Sequence, residues 1–332
     1  MTIRIEKALE TTERYKKQNN LFLKAGFRKA LAKEYRLEAV DIAFDSPEHT
    51  FWLPAYRKKT TLAHKLVIGA GFDVTSTTKP LPNSVFTAYM TALSTQLRAL
   101  QIDQLAIRSQ QLIPCQHDYA DKVELSIELE ESCEERFKQF SKSTRRNLRL
   151  PFKHGFHYVF AKKRQHLDEF YQVYQRCMHA IGTLPHSKQF FQSLWQDCHD
   201  DIGIFIGYMD DQPIATSLHF LTENEIYGAW GCVHPDYKKY SVFITMLWLI
   251  LQYCEDSGRK TYNLGRTSTG SNAYHFKKRL ANREHKIYHY QLTAGPAHTT
   301  QTAVYDAASW LIRHSPSPLM HTLSRTLLHR FY

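Results

Sequence analysis

The chain has six cysteines in 332 residues, and no two of them form a Cys-x-x-Cys pair. Its histidines form no His-Glu-x-x-His. These absences remove the ligand spacings that zinc sites use, so no metal is expected. The opening residues, MTIRIEKALETTERYKKQNN, contain no apolar core of a secretory signal. Cysteines scattered without an export signal fit a reducing compartment, so a cytoplasmic protein is expected. The longest apolar run, VFITMLWLILQY, has twelve residues, against about 20 for a bilayer span, and reads as a buried helix. No repeat of short period, low-complexity tract or sustained heptad pattern occurs, so neither a repeat array nor a long coiled coil is expected.

What is plentiful is positive charge. Lys and Arg number 43 against 32 Asp and Glu, for a net charge of +11. That balance favours anionic partners: nucleic acid, phosphorylated metabolites or an acidic membrane surface. Apolar residues make up 43% of the chain, enough for substantial cores, and the length suits two domains. The charge is also concentrated. FSKSTRRNLRLPFKHG, residues 140–155, holds five Lys or Arg and no acid, shortly after the acidic ELEESCEER. Lys142, Arg146, Arg149 and Lys153 fall at i, i+4, i+7 and i+11, one face of a helix if it persists. Pro151 is expected to end that helix near Arg149, and Ser141 or Ser143 to cap its start. The alternative is a solvated basic face pairing with Glu130, Glu131, Glu134 and Glu135.

Periodicity predicts a helix over 84–100, a strand in QLAIRS, and another in KVELSIELE with Val123, Leu125, Ile127 and Leu129 on one face. Helices follow in LDEFYQVYQRCMHAI and KQFFQSLWQDC. IGIFIGYM, IATSLHFL and IYGAWGCV, separated by DDQP and TENE, read as a three-strand meander. A helix over 241–256 comes next, then the short strand TYNLG, the loop RTSTGSN, a short helix AYHFKKRL and a last strand KIYHYQL. Three antiparallel strands followed by alternating helix and strand imply a mixed sheet with helices on both faces.

Four segments in this order, STRRNLR, GTLPHSKQFF, YGAWGCVHPDYKK and YNLGRTSTGSNAYHFKKRL, resemble the FemAB-like branch of the GNAT acyltransferase superfamily. That branch includes the aminoacyl transferases of peptidoglycan cross-bridges and relatives linked to exopolysaccharide gene clusters. The resemblance spans Glu130–Leu292. It implies an α/β (α+β) fold of two GNAT-like domains with mixed, mainly antiparallel sheets flanked by helices. Residues 1–140 would form a degenerate GNAT-like domain, 141–295 the acyltransferase domain, and 296–332 a helical tail. It implies acyl or aminoacyl transfer to an amine, with acyl-CoA or aminoacyl-tRNA as co-substrate and no tightly bound cofactor.

The candidate site residues follow from these segments. Arg145, Arg146 and Arg149 are expected to line an acceptor channel, since Arg clamps phosphate oxygens bidentately. In the family, the segment VHPDYKKYSVF corresponds to a glycine-containing loop that binds the CoA pyrophosphate at a helix N-terminus. Here Lys238, Ser241 and Phe243 stand in that register, and Phe243 fills space that a small residue would leave. Lys238 and Lys239 remain beside the helix terminus. Gly265 and Arg266 mark a strand end where ligands bind in open α/β sheets. Ser268 belongs to a hydroxyl-rich loop. Tyr274, Lys277 and Lys278 fall at i, i+3 and i+4. Lys277 is the candidate for oxyanion stabilisation, although a Ser/Thr-rich surface loop is the plainer reading. No strong general base is evident; His219 and Asp236 are the candidates. Trp230 either lines the acceptor groove or packs in the core.

The expected function is an N-acyltransferase acting on an amine of a cell-envelope or polysaccharide precursor. The alternative is a non-catalytic nucleic-acid or membrane-surface binder on a decayed GNAT fold. Partners are a phosphate-bearing small molecule or tRNA. The C-terminal LMHTLSRTLLHRFY is basic and amphipathic; it is expected to dock on its own domain, with peripheral membrane contact as the other reading.

Overall fold

The computed structural model describes residues 2–8, 21–45, 50–59, 64–69, 83–110, 118–161, 163–293 and 312–314. The amphipathic segment expected over 319–332 lies outside them. The chain divides into two compact units. The first comprises 1–124, 266–274 and 285–300; the second comprises 125–265, 275–284 and 301–332.

The first unit holds β1 (Thr2–Lys7), α1 (Ala25–Tyr35), β2 (Glu38–Asp45), β3 (Thr50–Lys59), β4 (His64–Ile68), α2 (Asn83–Thr95) and β5 (Gln104–Ser109). Its strands lie in the order β1-β2-β3-β4-β5 and continue to β12 (Arg283–Thr293). The β4–β5 pairing is parallel, whereas β1–β2, β2–β3, β3–β4 and β5–β12 are antiparallel. Val40, Ile42, Leu53, Leu66 and Ile68 project from one face onto Phe86, Met90 and Leu93 of α2. The α2 helix is shorter than its periodicity predicts: it stops at Thr95, and the chain leaves through a turn in which Gln101 has φ 56°. Arg28 of α1 and Asp41 of β2 are both buried, at 2% and 0% exposure. Arg28 donates to Asp41 Oδ1 at 2.7 Å and to the Val40 carbonyl at 2.6 Å. An ion pair this buried is sustained only while both charges are present. Asp41→Ala should therefore cost about 3–5 kcal/mol of first-unit stability, measurable as a lower urea midpoint.

The second unit contains the later elements. They are β6 (Asp118–Glu128), α3 (Cys133–Gln139), α4 (Lys142–Arg149), β7 (His157–Ala161), α5 (Gln165–Ile181), α6 (Lys188–Cys198), β8 (Ile202–Met209), β9 (Gln212–Leu221), β10 (Glu225–Val233), α7 (Val242–Asp256), β11 (Thr261–Ser268) and α8 (Asn272–Lys278). The first strand and the last two elements cross the unit boundaries. The strand order is β6-β11-β10-β9-β8-β7. The three strands of the meander are β8, β9 and β10, as the sequence predicts. Val123, Leu125 and Ile127 of β6 are all buried.

The charge switch at residue 140 is a helix break. Ser132 and Glu135 form a capping box at the start of α3, which places Glu134 and Glu135 in its first turn. Ser141 then caps α4 by accepting from the Thr144 N–H at 3.1 Å. Pro151 ends α4 at Arg149, and one 3₁₀ turn, Pro151–His154, closes on Gly155 at φ 75°.

The two faces of the sheet are covered differently. Phe160 of β7 stacks on Tyr253 of α7 at 4.0 Å and touches His219 of β9, so α7 covers that face. On the other face, Phe220 and Trp230 meet edge-on at 5.8 Å, and Trp230 meets Phe191 of α6 at 5.2 Å. The α7 helix is apolar nearly all round because it is wedged between the sheet and α3. Trp248 lies 5.8 Å from Phe137 and 5.3 Å from Phe140. Each large side chain buried here contributes about 1.5–3 kcal/mol.

Candidate functional site

Within the second unit's sheet, the interior strand β10 is paired along only part of one side. β10 is held by β9 from Ile226 to Val233. On its other side it pairs with β11 only where Glu225–Tyr227 face Thr261–Asn263. From Gly228 onward, β11 contributes no ladder partner to β10. An open strand edge presents backbone N–H and C=O groups to which an extended ligand can pair.

The point of parting is set by two glycines. Gly265 has φ 71°, and a Cβ there would lie 2.4 Å from the Gly228 carbonyl oxygen. Its N–H donates to Asn263 Oδ1 at 2.9 Å. A side chain at 265 would thus meet both an unfavourable left-handed backbone and a backbone clash.

A bulge lies just beyond. The β10–β9 register shifts between Gly228 and Trp230, leaving Ala229 without an opposite residue. Side chains alternate with period two, so one extra residue reverses the phase of everything after it. Trp230 and Cys232 therefore point to the α5–α6 face, and Gly231 falls on the α7 face, where its position adjoins Ser217 and Met246. Cys232 reaches α5, where hydrogen bonding to the Cys177 thiol and burial push its pKa up.

Trp230 is half-buried and ringed by aromatics. His186 meets it edge-on at 5.4 Å and stacks on Phe190 at 4.7 Å. The backbone of His186 is pinned on both sides: its N–H donates to Tyr174 Oη at 3.2 Å, and its carbonyl accepts from Tyr171 Oη at 3.3 Å. His186 was not singled out by the sequence. The signal for it was available in GTLPHSKQFF, a turn leading into a capped helix. What made it invisible is the bulge, which carries Trp230 under it.

After β10 the chain forms the 3₁₀ turn Pro235–Tyr240 and enters α7 through Ser241, held at φ 60° without a side-chain cap. The first N–H groups of α7 thus lack the side-chain acceptor that caps α3, α4 and α6. Phe243 in this first turn packs on Phe276 of α8, 5.3 Å between centroids. This contact sets α8 beside the start of α7. Lys277 adjoins Phe276 in the chain and is half-buried. Lys238 and Lys239 are exposed on the 3₁₀ turn, and Lys239 lies over the Tyr240 ring at 5.1 Å.

The remaining candidates are placed as follows. Arg145 donates to the Lys138 carbonyl at 3.4 Å, and Arg149 stands over the Phe137 ring at 5.2 Å. Both tie α4 to α3, while Lys142, Arg146 and Lys153 are exposed. The four acids that could neutralise α4 are engaged elsewhere. Glu130 pairs with Arg283, Glu131 with Arg136, Glu134 with Lys138, and Glu135 caps Ser132. Lys278 pairs with Glu284 at 2.5 Å. Asp236 is 80% exposed and lies 3.7 Å from His234 Nδ1. In the first unit, Arg266 is half-buried. It is part of β11, which runs to Ser268, so the expected loop begins later than RTSTGSN. Ser268 Oγ accepts from Lys122 at 2.6 Å. Ser271 Oγ accepts from the Tyr274 N–H at 3.1 Å, capping α8. These hydroxyls are engaged in holding the turn.

His219 is buried, and burial pushes its pKa down to about 3. Its Nε2 bonds to Ser217 Oγ at 2.6 Å. At neutral pH it is a neutral core residue and does not take up a proton, which removes the basis for reading it as the base. Among the described residues, no group of His, Cys, Asp and Glu could hold a metal ion. No described helix is long and apolar enough to cross a membrane.

Residues 138–278 match a family model described as an acetyltransferase (GNAT) domain. FemX has a similar structure: TM-score 0.62 at 11% identity, over 86% of this chain and 97% of that one. The C-terminal domain of a putative lysylphosphatidylglycerol synthetase from Agrobacterium fabrum gives 0.51 at 11%, over 90% and 91%. A tandem GNAT protein from the clavulanic acid biosynthesis pathway gives 0.52 at 7%, over 90% and 100%. No curated protein sequence matches the chain. Residues 138–278 thus match the GNAT acetyltransferase domain family, and the chain shares the fold of FemX.

Two predictions follow from this geometry. Gly265→Ala should lower stability by about 2 kcal/mol or more, read by chemical denaturation, whereas Gly270→Ala, in open space, should cost only the backbone share. The second concerns pH. The folded pKa of His219 lies below its unfolded value, so its contribution is complete above about pH 6.5. It is lost as pH falls toward about 3, at up to about 1.4 kcal/mol per pH unit. His219→Leu should flatten denaturation midpoints across that window.

Proposed function

We propose that the second unit moves an acyl or aminoacyl group from a phosphate-bearing donor to an amine of a cell-envelope or polysaccharide precursor. The observation that carries this reading is the open edge of β10 beside the uncapped start of α7. An extended donor arm pairs along Gly228–Val233, and its phosphates lie against the α7 N-terminus with Lys238 and Lys239. The amine nitrogen attacks the donor carbonyl carbon. A C–N bond forms, the C–O or C–S bond to the carrier breaks, and the amine loses a proton. His186 is the acid–base group in this reading, being half-buried and fixed against Trp230. Lys277 offsets oxyanion charge, and the exposed Arg146 contributes to anion binding.

The donor class is favoured by one local feature. Phe243 occupies the first turn of α7, where a CoA pyrophosphate would need a small residue. A donor held chiefly by charge suits this terminus better, and aminoacyl-tRNA is such a donor. Product formation from aminoacyl-tRNA should be abolished by ribonuclease and fall steeply with salt; equal turnover with acyl-CoA and no ribonuclease effect would overturn the donor assignment. Lys277→Ala should abolish turnover with unchanged thermal unfolding. His186→Asn should lower kcat about 10²–10⁴-fold, with little change in KM.

A further inference from the structure

Arg136–Leu167 contains ten Lys or Arg and no Asp or Glu. Within this stretch the second unit exposes two of its large apolar side chains, Phe152 at 45% and Tyr158 at 46%. They belong to one surface. The Phe152 ring stands edge-on against Phe156 at 5.6 Å. Phe156 lies over Gly207 of β8, and Tyr158, two residues on, stacks on Phe205 of the same strand at 5.5 Å. β7 is the last strand of the sheet, so no neighbouring strand covers this border. The His154 ring lies 4.7 Å from the Tyr240 ring, tilted by 52°, which joins the patch to Lys238 and Lys239. Lys153 follows Phe152 in the chain, and Lys142, Arg146 and Lys153 are exposed and form no ion pair with a described residue. The nearby acids are Asp236 beside His234 and Asp211 beside His157.

Lone exposed aromatics need no explanation. Two on one face, on a segment whose exposed cations form no ion pair with a described residue, combine what an interfacial surface requires: apolar groups for the headgroup boundary and positive charge for anionic lipid. We propose that the border formed by α4, the Pro151–His154 turn and β7 docks on an anionic membrane, with Phe152 and Tyr158 entering the interface. This is independent of the donor assignment, because it is read by binding and not by turnover.

The full chain should sediment with vesicles of equal parts phosphatidylcholine and phosphatidylglycerol, less so as salt rises, and not with phosphatidylcholine alone. Lys153→Glu should weaken binding at least about fivefold. Phe152→Ser and Tyr158→Ser should each weaken it without altering the salt dependence. All three sites are exposed, and thermal unfolding should be unchanged. Absence of binding to anionic vesicles would overturn the proposal. So would undiminished binding by all three variants, which would place the contact elsewhere. Binding of poly(U) RNA that these variants lose while vesicle binding persists would assign the surface to nucleic acid instead.

Discussion

Gly228 and Gly265 touch backbone to backbone where β10 and β11 cease to pair, and the site depends on that contact. A sheet normally satisfies each strand on both sides. Here the parallel ladder stops after three residue pairs, and β10 continues with one edge uncommitted. Leaving that edge open costs stability because its polar groups must find water or a ligand. The rest of the second unit offsets this cost: β8 and β9 hold the other edge, and α7 and α5 clamp the two faces. The site is thus a gap in a sheet whose surroundings are rigid.

Much of this fold was legible as periodicity. The three strands of the meander, the two helices before it and the apolar helix after it are long, strongly patterned elements. Pro151 and Ser141 placed the ends of α4 through backbone chemistry alone. α2 was read too long because Gln96–Leu100 keeps a helical pattern while tertiary contacts turn the chain. β11 was read too short because Gly265 looks like a terminator, whereas the strand passes through it with one left-handed residue. The bulge at Ala229 left no mark in the sequence, since IYGAWGCV alternates acceptably in either phase. That is why Trp230 could be named but its neighbour His186 could not.

The basic segment shows why charge spacing alone underdetermines function. Four cations on one helical face suggested a single anion site. In the structure, Arg145 and Arg149 turn back onto α3, one to a carbonyl and one to an aromatic ring, while Lys142 and Arg146 face solvent. Arginine is suited to such double use, since its stem and planar head pack as well as pair. The preceding acids do not quench the exposed pair because they are committed to Arg283, Arg136, Lys138 and a helix cap.

The single unmatched residue in β10 also makes the length of that strand an integer constraint. Deleting Ala229 would leave Trp230 opposite Leu218, whereas were the bulge smoothed out, with Ala229 taking the place opposite Leu218, the two faces would be exchanged downstream. Cys232 would leave α5 and an indole would be driven toward Met246. Drift in chain length within this unit must therefore be absorbed by the turns at 210–211 and 222–224, where no phase is carried across.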